Sequence, residues 1–213
     1  MKTSLRWICL LGLLCGTLAC APKIVPLPTA TALLNPADQS LTETRDGVAV
    51  SARIDQQSVQ PYQLTDNLAS FRIAVDNRTD RQVTIPAAAF VLRSGDGQQY
   101  RSITPERVRE IVSKDTVYLI PHPYVGYYYL QDQERFAHEN TMTSSLPYYA
   151  EYHPQEIFTR ALPVGAVLPQ SKISGVIYFV ADLTRMPGFE LQLFADDKTQ
   201  GAPLYRFPFA VEK

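Results

Sequence analysis

Ten residues, Leu68 to Asn77, constrain this chain most. Phe71, Ile73 and Val75 alternate there with Ser70, Arg72 and Ala74. A period of two puts the apolar side chains on one face of a half-buried strand and spreads them around a helix. The same period recurs. Val48, Val50, Ala52 and Ile54 alternate with Ala49, Ser51 and Arg53, and Phe189, Leu191 and Leu193 with Glu190 and Gln192. Phe90 and Leu92 repeat it, and Tyr205, Phe207, Phe209 and Val211 line one face of a closing strand. Lys172 to Ala181 is apolar on both faces and reads as a buried strand.

Turn signals separate these runs. Asn77-Arg78-Thr79-Asp80 turns the chain, Ser94-Gly95-Asp96-Gly97 makes a hairpin, and Asp196 to Pro203 turns again. Gln98 to Ser102, with Tyr100, returns as a strand. Val83 and Ile85 open a strand that Pro86 interrupts, which predicts a bulge or kink there. The pattern predicts a mainly β fold, an antiparallel β-sandwich of about seven strands. Residues 47–104 and 163–213 together have the length of such a domain, ~100 residues.

Residues 105–162 then form an insertion of mixed helix and hairpin. Thr104-Pro105-Glu106 is a helix start, with Val108, Ile111 and Val112 on one face. Val117 to Ile120 reads as a strand, Pro121-His122-Pro123 as a bend, and Tyr124 to Leu130 as a second strand. His153-Pro154-Gln155-Glu156 starts another helix, placing Ile157, Phe158, Ala161 and Leu162 on one side. Ala21 to Asp46, punctuated by Pro22, Pro26, Pro28 and Pro36, reads as an extended, solvated tether. An edge strand packed along the domain is the alternative for part of it.

The start of the chain is a targeting segment. Lys2 and Arg6 precede an apolar run, Trp7 to Leu14, and small or apolar residues lead to Cys20. The run is shorter than the ~20 residues a membrane-spanning helix needs. Of the three cysteines, Cys9 and Cys15 lie inside that segment. The mature chain is then expected to keep Cys20 alone, which leaves no disulfide to staple the fold. Without Lys2 and Arg6 the 20 basic residues fall to 18 against 21 acidic ones, a net charge near −3. That balance, with no clustered Lys and Arg, argues against a nucleic-acid surface.

Leu18-Ala19-Cys20 resembles the bacterial lipobox, with Thr17 where the family usually has Leu. The resemblance implies a signal peptide over 1–19, cleavage after Ala19, a diacylglycerol on the Cys20 thiol and an acylated amine. Ala21 is not Asp, which by the enteric-type sorting rule implies the outer membrane, facing the periplasm. The expected organisation is therefore a signal peptide at 1–19, a lipidated Cys and tether at 20–46, and a sandwich at 47–213 with the insertion 105–162. A second resemblance covers about Gly47 to Ser102. A strand ending in Asn77, a polar turn, Phe90-x-Leu92, a Gly turn and Tyr100 resemble the immunoglobulin-like domains of bacterial envelope lipoproteins. Ser174 to Phe179 echoes it.

Chemistry concentrates in the insertion. Eight of the 12 tyrosines lie there: Tyr118, Tyr124, Tyr127, Tyr128, Tyr129, Tyr148, Tyr149 and Tyr152. Tyrosine joins rigid contact area to a hydroxyl and suits a recognition face, but it suits a sandwich-covering layer equally. His122, His138 and His153 lie too far apart in sequence for a zinc motif. Asp132, Glu134 and Glu139 read as a solvated face rather than a catalytic pair. No Gly-x-Ser-x-Gly, His-Glu-x-x-His or Walker pattern occurs. Asn77-Arg78-Thr79 matches a glycosylation pattern and reads as a turn.

These features lead to the expectation of a non-enzymatic envelope lipoprotein. It needs no cofactor beyond the lipid on Cys20, and the Tyr-rich insertion meets a protein or cell-wall partner. Its competitors are a periplasmic hydrolase of glycans or peptides and a structural subunit of a trans-envelope complex.

Overall fold

The computed structural model describes residues 22–55, 67–111 and 154–212. Twelve strands run through them: β1 (Lys23–Pro26), β2 (Ala32–Asn35), β3 (Ser40–Arg45), β4 (Val48–Ile54), β5 (Leu68–Asn77) and β6 (Val83–Thr84). Then come β7 (Phe90–Ser94), β8 (Gln99–Arg101), β9 (Ala166–Val167), β10 (Ser171–Val180), β11 (Gly188–Leu193) and β12 (Tyr205–Glu212). One five-stranded sheet has the order β1-β12-β11-β7-β8 and the other β10-β5-β4-β3-β2, while β6 and β9 make a two-stranded ribbon. Every pairing between these strands is antiparallel. The chain passes from β5 to β7, from β8 to β10 and from β10 to β11 by changing sheet. Because β5 lies beside β10 and β7 beside β11, the core order β4-β5-β10 and β7-β11-β12 is that of strands A-B-E and C-F-G in an immunoglobulin-like sandwich.

Alternation decides which side chains meet between the sheets. Phe71, Ile73 and Val75 of β5 face inward with Ile177 and Phe179 of β10, against Phe90, Leu92, Phe189, Leu191, Phe207 and Phe209 of the other sheet. Phe71 is fully buried at their centre. Its ring meets Phe179 edge-on at 5.7 Å and Phe189 at 6.0 Å, and Phe209 at a tilt at 5.9 Å. Phe189 and Phe209 stack at 5.2 Å. One β5 ring thus joins both sheets.

Polar side chains seal the ends. Buried Asn77 donates from Nδ2 to the carbonyls of Arg81 (2.8 Å), Val167 (3.0 Å) and Leu168 (3.1 Å). Its Oδ1 accepts from the Thr79 amide and hydroxyl. The Asn77 turn therefore fastens the β6–β9 ribbon as well as reversing the chain. Tyr205 Oη donates to the Val48 carbonyl at 3.2 Å, from one sheet to the other. Burial is the leading cause raising its pKa.

The segment expected as a tether, or in part as an edge strand, forms β1, β2 and β3, of which β1 and β2 are edge strands. Its prolines fit. Pro26 ends an edge strand, where a missing N–H costs no ladder bond, and Pro36 sits in the loop joining β2 to β3. The extended backbone is as expected, but the solvation is not. Leu41 and Ala32 are fully buried, and Glu43 is buried with its Oε2 accepting the Arg206 N–H at 3.0 Å. That carboxylate caps part of β12 beyond the reach of β1. The overlooked signal is Asp46-Gly47. Both residues have positive φ, 49° and 79°, and Arg45 pairs with Val48 across them, as in a two-residue type I′ hairpin. Pro86, as expected, breaks the strand. A 3₁₀ turn at Ala87–Ala89 separates β6 from β7.

The ring contacts yield a stability prediction. Phe71→Ala should destabilise the chain by about 3–5 kcal/mol. Leu33→Ala, at a site 66% exposed, should change stability by less than ~0.5 kcal/mol. Urea unfolding followed by circular dichroism reads both.

Candidate functional site

Cys20, the eight tyrosines named above, the three histidines and Asp132, Glu134 and Glu139 all lie outside the described residues. What the structure does show is how the two flanks of segment 112–153 join the sandwich. Helix α1 (105–111) begins after Thr104, whose Oγ1 accepts the Arg107 N–H at 3.3 Å. Hydrogen bonding by its own backbone N–H and by Thr104 holds the Glu106 carboxyl below its usual pKa, as a carboxylate in a first helical turn should be. Helix α2 (Pro154–Arg160) lies on the other flank. Arg109 of α1 sits 5.3 Å over the Phe158 ring of α2.

Both helices cover the outer face of β5 and β10. Val108 and Ile157 are buried there against Leu68, Val176 and Tyr178, with Ile103 and Ile111 beside them. This explains why β10 is apolar on both faces only in its second half. Lys172 and Ser174 are exposed, whereas Gly175 to Phe179 are buried. Tyr178 Oη donates to the Ile157 carbonyl at 3.4 Å. Burial pushes its pKa up to about 12, with Asp55 adding to the rise.

The outer edge of β10 is closed by the same two flanks. The Ile103 N–H donates to the Tyr178 carbonyl at 2.8 Å, and the Leu162 N–H to the Val176 carbonyl at 3.0 Å. Ala161 and Leu162, expected on a helix face, lie beyond α2, and Ala161 makes a parallel bridge to Val176. The close approach needs Gly175, because a Cβ there would lie 2.3 Å from Leu162 Cα. Chain departure and return are thus tied to carbonyls two residues apart on one strand, about 7 Å.

Two concavities lie elsewhere. On the outer face of the β10-to-β2 sheet, Thr42, Ser51, Ala74 and Ser174 occupy one row across four strands. Asp76 borders it, bonded to Arg78 at 2.9 Å and Lys172 at 3.2 Å. Burial opposes ionisation of Asp76, but these two cations outweigh it and hold the carboxyl below its usual range. The second is a cleft of about 320 Å³ at one end of the sandwich. Asp96, Tyr100 and Ser94 bring the β7–β8 hairpin to it, Asn67 comes from the residue before β5, and Asp182 and Arg185 come from the β10–β11 link.

Local chemistry fixes the cleft. Asp96 Oδ1 accepts the Gln98 N–H at 3.1 Å, which sets the hairpin. Asp182 Oδ1 accepts the Thr184 N–H at 3.0 Å, and its Oδ2 pairs with Arg185 Nε at 3.0 Å. Asn67 holds φ at 53°, a left-handed value that Asn tolerates better than most residues. Its carbonyl accepts the Ala181 N–H at 2.6 Å. Ser94 is only 4% exposed, and its hydroxyl has no hydrogen-bond partner among the described residues. In the sequence, Ser94 and Asp96 read as turn residues. Nothing in their spacing links them to Asp182, because only the fold joins the two loops. Among the described residues no group of three or more His, Cys, Asp or Glu could hold a metal ion, and no helix is long and apolar enough to cross a membrane.

No protein-family model matches the chain, and no curated protein matches it either. Among solved structures it is similar to MPT63, a secreted protein from Mycobacterium tuberculosis. The TM-score is 0.34 and the identity 12%, over 78% of this chain and 91% of that one.

Two tests follow from the flanks. Gly175→Ala should lower stability and release the Leu162 amide to fast hydrogen exchange, while Gly97→Ala, with open space around it, should leave that amide protected. Tyr178 titrates higher folded than unfolded, so its neutral form contributes stability in full below pH ~10. That contribution should fade as pH rises through 10 to 12. Tyr178→Phe should flatten this alkaline loss in urea midpoints, leaving the share due to Tyr205.

Proposed function

We propose that the chain is a lipid-anchored protein of the bacterial cell envelope. It binds a protein or cell-wall partner without catalysing a reaction, and segment 112–153 carries the contact. The observation behind this reading is the double tie of that segment's flanks to Val176 and Tyr178. An excursion whose ends are fixed about 7 Å apart can vary in sequence while the sandwich keeps its register, which is how binding loops sit on rigid scaffolds. Eight tyrosines within the excursion supply contact area of the kind recognition surfaces use.

The anchor is Cys20, and the fold alters what it does. β1 begins at Lys23, so the lipidated residue stands three positions before a paired strand. An extended chain of that length spans about 10 Å. In this reading the sandwich sits close to the bilayer, with the start of β1 nearest. Confinement to the membrane plane raises the effective concentration of a partner in the same layer, so a weak contact suffices. The outer membrane, facing the periplasm, is the location this reading assigns.

Crosslinking in intact cells, followed by pull-down, tests the reading. One dominant envelope partner should be recovered, and replacing 112–153 by a short Gly-Ser link should lose it while the β-sheet signal persists. Recovery of the same partner after that replacement would contradict the role given to the segment. Cys20→Ser should move the protein out of the membrane fraction. Unchanged membrane partition would remove the anchor from the account.

A further inference from the structure

We infer that the cleft at the end of the sandwich binds a neutral, hydroxyl-rich ligand, a sugar unit, through Ser94, Asp96, Asn67 and Arg185. The inference rests on residues outside segment 112–153.

The lining selects the class by its charge and its mix of donors and acceptors. Two carboxylates, Asp96 and Asp182, face one guanidinium, Arg185, so an anion meets net repulsion. A hard divalent cation needs several carboxylate or carbonyl oxygens around it. Asp182 has one oxygen taken by Thr184 and the other by Arg185, which leaves Asp96 as the carboxylate with an oxygen to spare. A wholly apolar ligand would desolvate those charges with nothing to replace their water. A polyhydroxylated ring meets each objection. Its hydroxyls donate to Asp96 Oδ2 and accept from the Arg185 terminal nitrogens and the Asn67 amide. Its C–H face can lie along Tyr100, Val180 and Met186.

Ser94 supplies the second line of argument. A buried hydroxyl without a partner costs about 1–3 kcal/mol, and buried polar groups in folded chains are nearly always satisfied. This one belongs to a residue lining the cleft, with the oxygen itself covered, so a ligand hydroxyl would satisfy it once a small side-chain rotation uncovers it. The cleft volume, about 320 Å³, is at the small end of ligand sites and suits one sugar residue, such as the terminal unit of a glycan. Its walls are held by backbone and Asx-type bonds, so little ordering is left to occur on binding.

Saturation-transfer NMR with the full chain tests this, using glucose, galactose and N-acetylglucosamine as probes at millimolar concentration. At least one sugar should receive saturation. Asp96→Asn keeps the acceptor that sets the hairpin and should weaken that sugar's binding about tenfold, as loss of a charged hydrogen bond does. Ser94→Ala should weaken binding while thermal stability stays equal or rises, since it removes an unpartnered hydroxyl. A merely structural serine would lose stability and leave binding unchanged. Silence from all three sugars, transfer that persists undiminished in both variants, or thermal shifts given only by calcium or phosphate would each overturn the inference. The chain with 112–153 replaced should still bind the sugar, so this result and the partner result can fail separately.

Discussion

The burial of one ring between two sheets underlies everything else in this molecule. Phe71 lies on β5 near the middle of its sheet and touches Phe189 and Phe209 of the facing one. The three cysteines, Cys9, Cys15 and Cys20, all precede the first strand, so no disulfide holds the two sheets together. Apolar contact across the interface must do so, at roughly 25 cal/mol per Å² removed from water. At the rim, Tyr205 and Glu43 bond from one sheet to the other and fix the register in which the sheets meet, and Asn77 fastens the β6–β9 ribbon. Each satisfies backbone groups that the strand ladders leave open.

A sandwich also has to manage its edges, since an open strand invites pairing with another chain. Here two backbone segments cover the edge of β10. In the immunoglobulin-like arrangement a further strand pairs with the equivalent of β10. In this chain residues 103 and 161–162 take that place, and the long excursion runs between them. The helices that cover the outer face of β10 are the same helices that carry segment 112–153. Attachment of that segment's flanks and protection of the edge therefore share one set of contacts.

Much of this fold is legible from residue patterns, because alternation reports burial directly. The runs at 48–54, 68–77 and 188–193 are strands as the period of two predicts. Two kinds of feature escape it. Residues 22–46 carry prolines and polar residues because β1 and β2 are edge strands and their loops face water, a composition that also suits a solvated tether. Only the Asp46-Gly47 turn betrays a hairpin there. The cleft is illegible for a different reason. Ser94, Asp96 and Asp182 each have a sufficient local role, so no single stretch shows that they meet. The eight tyrosines lie outside the described residues.

The most direct test of the shared role of these flanks is native-state hydrogen exchange at two amides. The account predicts that Ile103 and Leu162 exchange as slowly as the β10 interior, at Ile177 and Phe179. Opening them would then require the whole sandwich to unfold. Fast exchange at both, with the β10 interior still protected, would show that the flanks are loosely attached and that β10 does not depend on them.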